Sequence, residues 1–216
     1  MAVQASGAAR LSRAGDLGWL VDLPTGSPAA VAAAVRARDW SELVGEVVPA
    51  ATTVLVTAQR AGDAEELGRA LAHLLSEPAE SDAVTHDPRT VEVPVRYDGP
   101  DLADVAGRLG MSTKEVARRH TAAEHRVGFF GFAPGFAYID GSPDALALPR
   151  RSDPRTRIEA GYVAIAGNQS VIYPGGTPGG WHLIGHTDLQ LWNPQHEPPN
   201  LLSVGDQVVF REVTPC

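Results

Sequence analysis

The chain has 216 residues, of which 44% are hydrophobic and 20% charged, with a formal net charge of −8 and a pI near 5.3. That composition excludes a chain disordered throughout, and the acidic balance excludes a general affinity for nucleic acid or anionic membrane. Of the 18 basic residues only Lys114 is a lysine, so the lysine of a G-x-x-x-x-G-K-[ST] phosphate loop is missing, and the single cysteine, Cys216, predicts neither an internal disulfide nor a Cys-based metal cluster.

Residues Met1–Asp16 lack an apolar core of signal-peptide length, and no later run approaches a membrane span, which predicts a soluble, cytoplasmic protein. Leu17–Leu23 (LGWLVDL) suits a strand. A helix follows from Ser27 as N-cap with Pro28 at its first position. Thr52–Ala58 (TTVLVTA) reads as the next strand, and the helix from Asp63 presents Leu67, Leu71, Leu74 and Leu75 on one face, with Glu66 placed for a capping box. Residues 1–80 are therefore expected to form a small α/β unit.

Ser76–Arg89 is polar, proline-containing and aperiodic, and marks the expected boundary to a second domain, 81–216. Strand-like runs follow at Thr90–Tyr97, His125–Phe130, Gly161–Gly167, Ser170–Pro174, Trp181–Thr187, Leu189–Asn193 and Asp206–Val213. Separated by Gly and Pro turns, they predict a barrel or a sandwich. Two helices interrupt them, Asp101–Gly110 and Ser112–His120, the second with a Ser112-to-Glu115 capping box.

That helix pair has the outline of a helix-turn-helix, with Gly110 at the turn and Arg118 and Arg119 on the second helix. The acidic balance and the strands on both sides weigh against DNA binding. His182 and His186 stand four apart, but beside Gly185 and Trp181 they read as strand residues without a third ligand, so no metal is expected. Ser170 lacks the flanking glycines of a G-x-S-x-G nucleophile elbow.

Four arginines, Arg150, Arg151, Arg155 and Arg157, crowd between and just beyond Pro149 and Pro154. Either they form a solvated basic loop, or the prolines preorganise guanidinium forks for a carboxylate or phosphate. Asn168 and Gln169 offer amide donors and acceptors in a glycine turn, and Tyr173–Trp181 (YPGGTPGGW) is a second glycine-rich stretch. In Gly128–Gly141 (GFFGFAPGFAYIDG) aromatic rings alternate with glycine; Phe132, Phe136 and Tyr138 suit the walls of a pocket or a tightly packed barrel corner.

Together, the stretches HTAAEHRVGFFGFAPGFAYIDG from His120, LALPRRSDPRTRIEAGYVAIAGNQSVIYPGGTPGGWHLIGHT from Leu146 and LLSVGDQVVF from Leu201 resemble the family of the 5-oxoprolinase B subunit, also known as allophanate hydrolase subunit 1 and as Kip-type kinase inhibitor. Tyr162 departs from the family's usual small residue, and Ala51 and Thr52 from its Tyr-Arg. The resemblance implies an α+β fold, a small α/β N-terminal domain followed by a cyclophilin-like β-barrel. It further implies work as a composite with the homologous C subunit (allophanate hydrolase subunit 2) and with the A subunit, in ATP-dependent hydrolysis of 5-oxoproline to glutamate, the chain being inactive alone. ATP would be bound by the complex, and no metal by this chain. Carried over residue by residue, it implies catalytic roles for His120 and Arg157, and binding of substrate or nucleotide by Arg150, Arg155, Asn168, Gln169, Phe132, Phe136 and Trp181. The alternatives are a Kip-type inhibitor of a sensor histidine kinase and the carboxyltransferase half of a urea carboxylase.

Overall fold

The computed structural model describes residues 9–77 and 89–214. The chain divides into two compact units, 1–87 and 88–216, and the expected boundary at 80/81 lies outside the described residues.

In the first unit, β1 (Arg10–Ala14), β2 (Gly18–Asp22), α1 (Pro28–Arg36), β3 (Val44–Pro49), β4 (Thr53–Ala58) and α2 (Ala64–Ser76) build an antiparallel sheet of order β1-β2-β4-β3 with two helices. Period-two alternation on β4 sends Val54, Val56 and Ala58 into a core shared with Val21, Val35, Leu67 and Leu71. Ser27 caps α1 as expected, its Oγ accepting from the Ala30 N–H at 3.2 Å. The capping box at α2 does not form: Asp63 makes no capping bond and accepts from Arg60 Nε at 2.8 Å. An arginine three residues upstream outcompetes the helix N–H groups for that carboxylate.

The second unit runs β5 (Thr90–Val95), α3 (Leu102–Leu109), α4 (Thr113–Thr121), β6 (His125–Phe130), β7 (Ala137–Asp140), β8 (Arg155–Ile158), β9 (Tyr162–Ala166), β10 (Gln169–Ile172), β11 (Thr177–Gly179), β12 (His182–His186) and β13 (Gln207–Glu212). Seven strands form one sheet of order β12-β9-β10-β7-β6-β13-β5. A paired bridge of Arg96 and His186, with both N–H···O distances 2.8 Å, links the two edges, so the sheet is a nearly closed barrel. The fold is α+β, as expected. Residues Leu189–Asn193 do not form the expected strand; only Trp192 bridges, to Asn200, because Pro194, Pro198 and Pro199 supply no N–H to a ladder.

The helix pair packs on the barrel. Val105 and Val116 join the interior cluster with Val93, Ile139, Ile165, Ile184 and Phe210. Arg118 and Arg119 both pair with Glu115, whose carboxyl they hold down to about 2. Gly110 takes the left-handed conformation that ends α3, and Ser112 Oγ caps α4 by accepting from the Glu115 N–H at 3.1 Å. Among the described residues no helix is long and apolar enough to cross a membrane.

Alternation makes the sheet two-sided. On β7, β9, β10 and β12, Ile139, Ile165, Ile172 and Ile184 face the barrel interior, whereas Tyr138, Ala164, Val171 and Leu183 belong to a second apolar cluster with Phe136, Ile158, Tyr173 and Trp181. That second cluster lies on the outer face, beside the β8–β11 ribbon.

Candidate functional site

The β6–β7 hairpin ends in a six-residue loop, 131–136, built from two turns. The Ala133 N–H donates to Gly131 O at 2.8 Å across Phe132, whose φ is 68°, a γ-turn of the positive-φ kind. The Phe136 N–H then donates to Ala133 O at 3.0 Å around Pro134 and Gly135, the latter at φ 75°; this is a type II turn with proline and glycine where that turn requires them. Gly131 N–H to Phe136 O at 3.2 Å closes the loop.

This loop forms part of a pocket of about 180 Å³ on the outer face of the barrel. Phe132 and Phe136 come from the loop, Tyr138 from β7, Tyr173 from the end of β10, Arg150 and Pro154 from the arginine-rich segment, and Pro178, Gly179, Gly180 and Trp181 from the glycine-rich stretch. Phe136 meets Tyr173 edge-on at 5.3 Å between centroids and Tyr138 at 5.1 Å, so the walls are interlocked aromatic rings. Gly179 leaves the Tyr173 hydroxyl its space. That hydroxyl is buried without a well-formed hydrogen bond, and burial pushes the phenol up to about 12.

The four arginines part company. Arg155 and Arg151 are taken by Asp101, itself buried at the N-terminus of α3: Oδ1 accepts from Arg155 at 2.7 Å and Arg151 at 3.0 Å, and Oδ2 from Arg155 at 2.9 Å and the Leu183 N–H at 2.8 Å. Burial alone would raise the Asp101 carboxyl, but the hydrogen bonds from Arg155 and Leu183 and the nearby arginine charges outweigh it and hold it below the usual range. Arg157 stands exposed on β8 and pairs with the equally exposed Glu159 at 2.8 Å. Arg150 is different: it has no carboxylate partner among the described residues, and its guanidinium carbon sits 5.3 Å from the centroid of Trp181.

His120 lies elsewhere. It is fully buried, its ring nitrogens bracketed by the Tyr97 hydroxyl at 2.7 Å and Ser170 Oγ at 2.9 Å, while His125 Nε2 donates to its carbonyl at 2.8 Å. Ser170 is on the interior face of β10 and Val171 on the outer one, so the sheet separates His120 from the pocket. Burial, with His125 adjacent, drives the His120 pKa well below its ordinary value, and burial lowers His125 as well. The ring is therefore neutral and walled off from solvent. Asn168 lies in the β9–β10 turn and Gln169 begins β10, about 13 Å along the strand from Tyr173 at ~3.3 Å per residue, and Gln169 Nε2 donates to Asp140 at 2.7 Å.

Of the residues expected at a site, Phe132, Phe136, Arg150 and Trp181 converge; His120, Arg155, Arg157, Asn168 and Gln169 do not. Tyr173 was missed, although it follows Val171 by two on the same face of a strand, the one signal that pointed outward. Among the described residues no group of three or more His, Cys, Asp or Glu is placed to hold a metal ion.

Residues 9–202 match the family described as carboxyltransferase domain, subdomain C and D. The chain belongs to that family. Among curated members it is 48% identical to the 5-oxoprolinase B subunit of Escherichia coli O157:H7 over 61% of this chain, and 46% identical to the 5-oxoprolinase B subunit of Bacillus subtilis over 69% of it. The chain spans 62% and 63% of the lengths of these two relatives. Among solved structures, TTHA0988 superposes with a TM-score of 0.76 at 36% identity, covering 92% of this chain and 40% of its own. The uncharacterised protein PH0987 of Pyrococcus horikoshii gives 0.56 at 33% identity, covering 94% and 97%. Kluyveromyces lactis urea carboxylase gives 0.74 over 99% of this chain and 22% of its own, and at 18% identity that likeness concerns the fold alone.

Proposed function

We propose that this carboxyltransferase-family chain is the B subunit of a 5-oxoprolinase and supplies the pocket that holds the small cyclic acid. The observation that carries the reading is Arg150, a guanidinium without a carboxylate partner among the described residues, stacked on Trp181 at an aromatic pocket. A stacked arginine with no carboxylate of its own suits a ligand carboxylate. The names of the curated relatives support 5-oxo-L-proline as that ligand.

At about 180 Å³ the pocket is smaller than the roughly 300–1,000 Å³ of drug-sized sites and suits one small ring. ATP is assigned in this reading to the proteins that complete the complex, the homologous C subunit and the A subunit, where it would activate the lactam oxygen. The role of this chain is to fix the carboxylate on Arg150 and to enclose the ring in apolar walls, which strengthens every charge interaction made there. His120 then serves the fold, as the hydrogen-bonded centre of the barrel interior.

The test is glutamate release and ATP hydrolysis dependent on 5-oxo-L-proline, comparing this chain alone with the chain plus the A and C subunits. Activity is expected only in the full mixture, and Arg150→Ala is expected to raise KM at least about tenfold, the loss of one charge-assisted contact. A folded assembly without activity would overturn the assignment, and dependence on a biotinylated carrier would move it to carboxyl transfer.

A further inference from the structure

We infer that Phe132 is a specificity-determining residue that lets the pocket distinguish a closed, uncharged ring from its opened, charged product. The inference rests on the pocket being the ligand site proposed above.

Phe132 holds a backbone conformation that suits glycine. Its φ of 68° at the centre of a γ-turn is strained for a bulky residue, and the surrounding loop prevents relaxation. The chain that follows is fixed by Pro134 and by Gly135, which is packed so tightly that a Cβ there would stand 2.5 Å from Cβ of Trp192. A glycine at position 132 would relieve the strain at once.

Packing does not explain the phenylalanine either. Its side chain belongs to a residue 62% exposed, and its one ring partner among the described residues is Phe136, met edge-on at 5.3 Å. A large apolar ring mostly kept in water on a strained turn gains the free chain little beyond that one edge-on contact. What it does is extend the wall of the pocket outward, beside Trp181 and Arg150. Backbone strain that local packing does not repay is found where it serves a ligand.

The consequence follows from the reaction. Opening the lactam of 5-oxo-L-proline converts a neutral amide into an ammonium and a second carboxylate. The first carboxylate is common to substrate and product, so Arg150 attracts both. A phenyl wall accepts the uncharged ring but strips water from the new carboxylate without replacing it, which disfavours the product. Phe132 thus provides the discrimination that Arg150 cannot.

The experiment measures binding of 5-oxo-L-proline and of L-glutamate to the full chain, by itself and assembled with the A and C subunits, together with thermal stability. Wild type is expected to prefer 5-oxo-L-proline. Phe132→Gly should raise Tm while reducing that preference roughly tenfold, the worth of one lost aromatic wall. Phe132→Asn, whose side chain tolerates a positive φ, should act alike, and Phe132→Tyr should keep the preference. Arg150→Ala should weaken both ligands and leave their ratio unchanged. A lower Tm with an unchanged ratio in Phe132→Gly makes the ring a packing residue and overturns the inference while leaving the pocket intact. If wild type in neither form binds either acid, the pocket reading itself fails.

Discussion

Asp101 and Arg155 face each other through two parallel hydrogen bonds, 2.9 Å and 2.7 Å, a bidentate fork on a carboxylate that is almost wholly buried. The same carboxylate fixes the Leu183 amide on β12 and Arg151, so one side chain ties α3, the arginine-rich segment and the barrel wall together. Asp101→Ala leaves two cations and a buried N–H without their acceptor. It is expected to cost about 3 kcal/mol, the lower end of the range for breaking a buried pair because both arginines remain partly exposed. Denaturant unfolding measures it, and a loss below about 1 kcal/mol would show that solvent replaces the acceptor.

Acid should weaken the second unit before it reaches the carboxylate range. His120 and His125 are held neutral by burial, their folded pKa values below the ordinary 6.5, so the unfolded chain binds more protons as pH drops through that value. Stability is therefore full above about pH 6.5 and declines as pH falls; Asp101 and Asp206, both depressed in the fold, extend the decline below about pH 4. Tm measured from pH 8 to pH 4 should show the first slope near pH 6. In His120→Gln that slope should shrink even though the variant starts from a lower Tm.

Gly135→Ala joins two penalties at one residue, a left-handed φ of 75° and a collision with Trp192. It is expected to destabilise by more than about 1 kcal/mol. Pro134→Ala, which only loosens the unfolded chain, should cost about 0.4–1 kcal/mol. Equal Tm values for the two variants would contradict the tight seat of the loop on Trp192.

Two helix starts that look alike in sequence should respond differently to alanine. Ser112 Oγ accepts from the Glu115 amide, so Ser112→Ala is expected to cost about 1 kcal/mol. Among the described residues Asp63 pairs only with an exposed arginine, and Asp63→Ala should fall within about 0.5 kcal/mol. Chemical denaturation separates them readily.

These contrasts also mark what could be read from the chain. Elements whose signal is local were legible: Ser27 with Pro28, the leucine face of α2, the alternation in β4 and β13. β7 was hidden because its four residues, Ala137–Asp140, sit between glycines that look like loop. At β1, Arg10–Ala14, charge masks the strand, since its pairing partner Gly18–Asp22 supplies most of the apolar residues. The candidate pocket was legible in part. Side chains that line the pocket through their own loops, Phe132, Phe136 and Trp181, stood out by composition. The arginines were inseparable by sequence because what sorts them is Asp101, some fifty residues away. His120 had the chemistry of a catalyst, and only burial on the far side of β10 removed it from the pocket.

The pairing of β5 with β13 has a consequence in time. These are the first and last strands of the second unit, and they run parallel over the full register from Thr90 opposite Gln207 to Val95 opposite Glu212. Until Gln207–Glu212 has been synthesised, β5 lacks this neighbour, and the helices and strands between must wait with the seam open. Contacts this distant along the chain make for slow closure. A nascent chain stopped before residue 207 would expose an unpaired, apolar strand edge, the kind of surface that aggregates.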